Sequence, residues 1–410
     1  MFKNTYFFLV SIVLFGLISC KNTAPKNKEI VLSINSNRLK ITKPIVVGAN
    51  QTEAYLPLLQ NKKVAVVANQ TSVIFKTDNT YTHLVDSLQR LQINLVKVFA
   101  PEHGFRGQAD AGAHVANGID ITTGLPLISL YGKNKKPTSD QLKNIDIVVF
   151  DIQDVGVRFY TYISTLHYVM EACAEAGISV IVLDRPNPNG NYIDGPVLET
   201  QFKSFVGMHP VPLVYGMSIG EYAQMINGEN WLANGIKCNL KVIPLKNYTH
   251  KSVYNLPIRP SPNLPNAQAV NLYPSLALFE GTTVSCGRGT EMQFQLFGAP
   301  FLPKDTYTFS FLPQPNFGAK YPKFKGELSY GLDLRKVNKL NKLNLEWLIT
   351  AYADTNKKDS FFNSFFTKLA GTKKLQEQIE AGLSQVTIKK SWQNGLDKFK
   401  IVRAKYLIYD

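Results

Sequence analysis

The stretch "IDIVVFDIQDVGVRFYTYISTLHYVMEACAEAGISVIVLDRP", residues 145–186, decides the fold. Its flanks, Ile145–Phe150 and Ile178–Leu183, are short runs rich in valine and isoleucine, the composition of strands buried on both faces. Between them, Thr161–Ala176 carries Ile163, Leu166, Met170 and Cys173 at helical spacing, and Gly177 supplies a stop. Strand, helix and strand at this separation predict a right-handed βαβ unit. Toward the N-terminus, Val64–Ala68 and Leu95–Phe99 repeat the strand-like run. The spacing therefore predicts an α/β fold with a doubly wound, mainly parallel sheet. Cys173, on the apolar helical face, reads as a small buried hydrophobe.

Open α/β sheets bind ligands outside the carboxyl ends of their strands. The four runs end in Asn69-Gln70-Thr71, Pro101-Glu102-His103, Asp151-Ile152-Gln153-Asp154 and Asp184-Arg185-Pro186-Asn187. These polar groups point to one crevice; singly, each also reads as a cap or turn residue. The densest of them is "FAPEHGFRGQADAG", residues 99–112, where Glu102, His103 and Arg106 stand among Gly104 and Gly107. Glycines there let the backbone turn in ways a β-carbon forbids.

The remaining chain sets the compartment and the second domain. Lys3, the apolar run Tyr6–Ile18 and then Leu17-Ile18-Ser19-Cys20 predict a leader over residues 1–19 whose ending resembles a lipobox, with Cys20 lipidated. Residues 20–45, polar and lysine-rich, read as a tether. A lipid-anchored, periplasm-facing envelope protein follows, attached to the membrane through Cys20. The formal charge of +15 is dominated by lysine with acidic residues interspersed, and no nucleic-acid motif accompanies it. No nucleic-acid partner is expected. Cys173, Cys238 and Cys286 form neither a disulfide framework nor a zinc ribbon. The proline-rich Pro244–Pro274 reads as an extended crossing that joins a first domain, 46–258, to a second, 259–410. Beyond it, Leu375, Ile379 and Leu383 mark an amphipathic helix, and "FKIVRAKYLIYD" a terminal strand or helix packed on the core.

Several chemistries lack their signatures. There is no Gly-x-x-x-x-Gly-Lys-Ser/Thr loop, no strand followed by Gly-x-Gly-x-x-Gly, no Gly-x-Ser-x-Gly elbow and no His-Glu-x-x-His helix. A metal on His103, His114 and Asp110 is a minor alternative. Paired carboxylates with a histidine remain, and glycoside cleavage needs a proton donor at the leaving oxygen and a second group at the anomeric carbon. Glu102 fits the donor, with His103 orienting it, relaying a proton or binding substrate; the plainer reading pairs Glu102 with Arg106 as a clamp on the glycine loop. Tyr160 and Tyr162, beside Phe159, and Tyr192 and Tyr273 in other loops could stack on a sugar or simply pack. Arg158, Arg185 and Arg288 suit either a substrate carboxylate or a structural ion pair.

Taken in order, "FAPEHGFRG", "TGLPLISLYG", "FDIQDVGVRFYTYISTLHYVMEA", "VLDRPNPNGNYIDGPVLE", "PSPNLP", "LYPSLALFEGT", "GRGT" and "GAP" resemble the exo-β-N-acetylmuramidase family over about residues 46–410. The resemblance implies a Rossmann-like domain joined to a smaller α/β domain, with the active site in the cleft between them. It also implies release of N-acetylmuramic acid from non-reducing ends of peptidoglycan fragments without a nucleotide cofactor; no cofactor and no bound metal are expected. Carried over by motif, Glu102 is the leading general acid with His103 beside it. Asp151, Asp154, Asp184 and Glu280 are candidates for the second carboxylate. Asn69, Asn187, Tyr160, Tyr162, Arg185, Tyr273 and Glu280 are candidate substrate contacts, and Arg106, Arg158 or Arg288 would meet the lactyl carboxylate of the sugar. Two departures stand out: Val214-Tyr215 replaces Arg-His before Gly216-Met217-Ser218, and Gln293 replaces a proline after "GRGT". The rival readings are a catalytically silent envelope protein that binds muramyl glycans, and a metal-dependent amidase or esterase.

Overall fold

A computed structural model describes residues 43–78, 80–107 and 117–410. The leader, residues 20–42 of the tether with Cys20, Asp110 and His114 lie outside the described residues. Residues 43–410 pack as one compact unit built on a seven-stranded, a three-stranded and a small two-stranded sheet, the last pairing Val73–Phe75 with Tyr81–His83. The strands are β1 (Val64–Ala68), β2 (Val73–Phe75), β3 (Tyr81–His83), β4 (Leu95–Ala100), β5 (Gly118–Ile119), β6 (Pro126–Ser129), β7 (Ile147–Asp151), β8 (Ser179–Leu183) and β9 (Leu240–Ile243) in the first part of the chain. Later come β10 (Leu296–Ala299), β11 (Phe309–Phe311) and β12 (Ser329–Asp333).

The large sheet runs β5-β6-β4-β1-β7-β8-β9, parallel throughout except for the β5–β6 edge. The chain builds outward from β1 through β4 to β6, then returns to the other flank of β1 at β7. That reversal opens a crevice at the carboxyl ends of β1, β4 and β7. The residues of each central strand alternate between two apolar layers, as a period of two requires. Ala65, Val67, Phe99, Val148 and Phe150 face one layer, which includes the helix Tyr162–Glu175. Val64, Val66, Ala68, Val98 and Val149 face the other, against the helices Thr52–Leu59 and Leu84–Arg90. The expected βαβ unit is present with its ends moved by a residue or two.

The first layer does not stop at the sheet. It continues through Tyr273, Phe279, Phe297 and Leu348 to Trp392 and Phe399, so the small antiparallel sheet β10-β12-β11 and the C-terminal helices share one core with the large sheet. Leu375 and Ile379 are buried on the helix Lys374–Glu380, as their spacing predicts, but the helix ends before Leu383, which lies half-buried in the turn to the next helix. The final stretch is the end of the helix Gln385–Ala404 followed by a tail without regular structure.

A further expectation fails. Pro244–Pro274 is not extended to its end: Ala267–Leu276 is a helix that contains Pro274. Asn266 caps it, its side chain accepting from the Ala269 N–H. Pro274 has no N–H for the Val270 carbonyl one turn back, and Asn189 Nδ2 donates to that carbonyl instead, at 3.1 Å.

Candidate active site

The loop after β4 is held from one side and open on the other. Phe105 is buried in the second apolar layer, edge-on to His83 at 4.8 Å. Arg106 lies over the Phe105 ring and bonds Asp86 at 3.1 Å and Asp120 at 2.8 Å. His103 and Gly104 both adopt left-handed backbone, with φ of 71° and 77°. For the histidine this conformation carries a strain cost that the surrounding contacts must offset. The turn thereby sends Phe105 and Arg106 one way and Glu102 and His103 the other.

Glu102 and His103 face a cavity of about 260 Å³ between the large sheet and the C-terminal part of the chain. One wall brings Tyr131, Phe159, Tyr160, Thr161 and Phe205; the other brings Ser261, Asn263, Tyr273, Glu280, Arg288 and Phe294. The Thr161 hydroxyl donates to Glu102 Oε2 at 2.7 Å. The Tyr131 hydroxyl also bonds Glu102, and burial together with that carboxylate raises the tyrosine's pKa. Across the cleft, Arg288 Nε lies 3.2 Å from Glu280 Oε1. Tyr160 and Tyr273 meet edge to face at 5.9 Å, as do Tyr273 and Phe294 at 4.8 Å, giving the cleft an aromatic floor. Glu102 and Glu280 are the two carboxylates among the described residues lining this cavity.

The structure thus brings together Glu102, His103, Tyr160, Tyr273, Glu280 and Arg288 from the sequence candidates. Others lie just beneath. Tyr162 is buried, with its hydroxyl 3.3 Å from the Pro260 carbonyl, and Asn69 closes a turn by accepting from Thr71 N and Oγ1. Asp154 is buried and accepts from the Tyr215 hydroxyl and, at 2.7 Å, from the Gly156 N–H. Burial raises its pKa to about 6 against the opposing effect of those bonds. The Tyr215 departure therefore occupies the space beside Asp154, and buried Gln293 sits next to the cleft-lining Phe294.

Six candidates are not brought to the cavity, each because the fold consumes its polar atoms. Asp151 and Arg185 form a fully buried two-bonded pair, at 2.6 and 2.9 Å. Asp184 accepts from the Ser218 and Tyr409 hydroxyls and the Gly220 N–H, and burial raises its pKa to about 6. Arg158 donates to the carbonyls of Pro196, Val211, Leu369 and Ala370, stapling the first part of the chain to the last. Asn187 bridges Met217 and Asn189, and Arg106 belongs to Asp86 and Asp120. Tyr192 lines a separate hollow beside the C-terminal tail. Sequence reasoning missed Thr161 and Tyr131. Thr161 carried a signal as the residue opening a helix after a strand end, and Tyr131 follows β6, a fifth parallel strand end too short to stand out.

Comparison with known proteins identifies the family. Residues 64–268 match the family model described as exo-β-N-acetylmuramidase NamZ, N-terminal, and residues 271–409 match the corresponding C-terminal model. The chain is 39% identical over 430 residues to the peptidoglycan β-N-acetylmuramidase NamZ of Bacillus subtilis, covering 99% of this chain and 100% of that protein. A crystal structure of a DUF1343 family protein from Bacteroides fragilis superposes with TM-score 0.82 at 45% identity, covering 90% of this chain and 99% of that one. A second from the same organism gives 0.76 at 30%, over 89% and 99%. With both family models matched in sequence and a curated relative aligned end to end, the chain belongs to the exo-β-N-acetylmuramidase NamZ family.

Proposed function

We propose that this chain is an exo-acting glycoside hydrolase that releases N-acetylmuramic acid from the non-reducing ends of peptidoglycan fragments. The observation that carries the reading is that Glu102 and Glu280 line one aromatic cleft of about 260 Å³. Hydrolysis puts a proton on the leaving oxygen and a hydroxyl from water on the anomeric carbon. Glu102, whose carboxylate meets the Thr161 and Tyr131 hydroxyls, is the group we assign to deliver the proton. Glu280, held against Arg288, faces the positive charge that develops at the anomeric carbon. Tyr160 and Tyr273 offer ring faces and edges to the sugar.

The same reading includes a place in the cell. Leader removal before Cys20 and lipidation there would hold the enzyme at the envelope, with residues 20–45 as tether, 46–258 as the Rossmann-like part and 259–410 completing the cleft. A Cys20→Ser chain should move from the membrane fraction to the soluble fraction.

The activity is tested with a chromogenic β-N-acetylmuramide and the matching β-N-acetylglucosaminide. Release from the muramide alone, lost in Glu102→Gln, is the expected result; release from neither sugar by folded protein would overturn it.

A further inference from the structure

A second hollow adjoins the cleft. It has a volume of about 260 Å³ and shares Glu280 and Arg288 with the cleft. Its other walls include Ser285, Cys286, Pro322, Lys323 and the exposed Tyr321. The charge there is uneven: two cations, Arg288 and Lys323, face one carboxylate, Glu280, among its lining residues. Lys323 donates to the Phe279, Thr282 and Val284 carbonyls at 2.6–3.1 Å, and burial lowers its pKa. A cation kept in such a place favours an incoming anion.

The loop that presents Arg288 is built for that position. Gly287 and Gly289 flank it, both left-handed, with φ of 84° and 83°. A β-carbon on Gly289 would come within 2.5 Å of Pro322, the wall of the same hollow, and one on Gly287 within 2.8 Å of the Met292 carbonyl. Both glycines are thus needed for Arg288 to stand at the junction of the two cavities. Arg288 and Glu102 both act electrostatically on the Tyr131 and Tyr273 hydroxyls, which puts the arginine on the same sugar-sized site as the proton donor.

We propose that this annex receives the acidic side arm of the terminal sugar, the 3-O-lactyl carboxylate, with Arg288 binding it directly and Lys323 supplying the positive field. The inference rests on the muramidase reading. Of the three arginines considered from sequence, Arg106 and Arg158 are committed elsewhere, and the annex gives Arg288 a second cation that the sequence did not reveal. The chemistry selected is a free carboxylate on an N-acetylated hexosamine. A neutral side arm of the same shape lacks the charge the annex is built to meet.

The test uses the folded wild-type protein with N-acetylmuramic acid, its methyl ester and N-acetylglucosamine, compared by calorimetry or competition. The acid should bind about tenfold or more tightly than the ester, as a charge-assisted contact to guanidinium implies. Arg288→Gln should bring the two affinities together. Tyr321→Glu, at a residue 94% exposed, places a like charge at the mouth and should weaken the acid, not the ester, about threefold at low salt and less at high salt. Equal affinities for acid and ester in the wild type would overturn the proposal, as would a preference that survives Arg288→Gln in a variant melting like the wild type. If Arg288→Gln does not fold, an unchanged acid affinity in Tyr321→Glu at low salt overturns it. Muramide turnover with equal acid and ester binding would remove the annex alone. Absence of turnover would remove the muramidase reading, while the acid–ester ratio still reads the annex.

Discussion

Glu102 and Asp151 leave neighbouring regions of one sheet edge, after β4 and at the end of β7, yet their surroundings diverge. Glu102 meets hydroxyls from Thr161 and Tyr131 at the mouth of an open cavity. Asp151 is sealed against Arg185 with both oxygens used, and Asp184, after β8, is likewise closed in by Ser218, Gly220 and Tyr409. A carboxylate at a strand end becomes chemical or structural according to what the distant chain brings to it. Tyr409 reaches Asp184 from 225 residues away, and Ser261 and Arg288 reach the Glu102 side from beyond the sheet.

The comparison breaks if the buried carboxylates prove replaceable at no cost. The largest structural effect is expected for Asp151→Asn, which strands the buried Arg185 guanidinium and should lower unfolding stability by about 3–5 kcal/mol in denaturant titration. Asp184→Asn sharpens the contrast through pH. Burial lifts Asp184 from 3.8 to about 6, so the fold favours its protonated form. The stability that proton contributes is full below about pH 3.8 and lost as pH rises through 6. Asparagine has no such loss, so between pH 4 and 7 the variant should gain on the wild type by at most about 3 kcal/mol. A difference independent of pH would contradict this. The smallest effect belongs to Arg106→Ala. Its ion pairs are partly exposed, and about 1 kcal/mol of stability should be lost with KM for the muramide unchanged.

Much of the fold was legible because its signals are local. Parallel strands covered on both faces read as valine and isoleucine runs, and the helix Tyr162–Glu175 shows in its spacing. The helix Ala267–Leu276 was hidden because a proline inside a helix argues against it, and the group that satisfies the freed Val270 carbonyl, Asn189, lies 81 residues away. The site was legible where a motif carried unusual chemistry, as with Glu102, His103 and Arg288. It was illegible where a common residue's role depends on its neighbours. Arg158 resembles a substrate-binding arginine in sequence and is a staple in the fold, bonded to four carbonyls. Tyr131 resembles turn punctuation after a short strand and holds the proposed proton donor.

The most direct measurement sets Glu102→Gln beside Asp151→Asn in one experiment, with muramide turnover and melting temperature read on both. The account predicts that Glu102→Gln loses about 10³-fold or more in kcat while melting within about 2 °C of the wild type, and that Asp151→Asn melts many degrees lower yet keeps its turnover per folded molecule below its melting temperature. Turnover retained in Glu102→Gln, or abolished in folded Asp151→Asn, would contradict it.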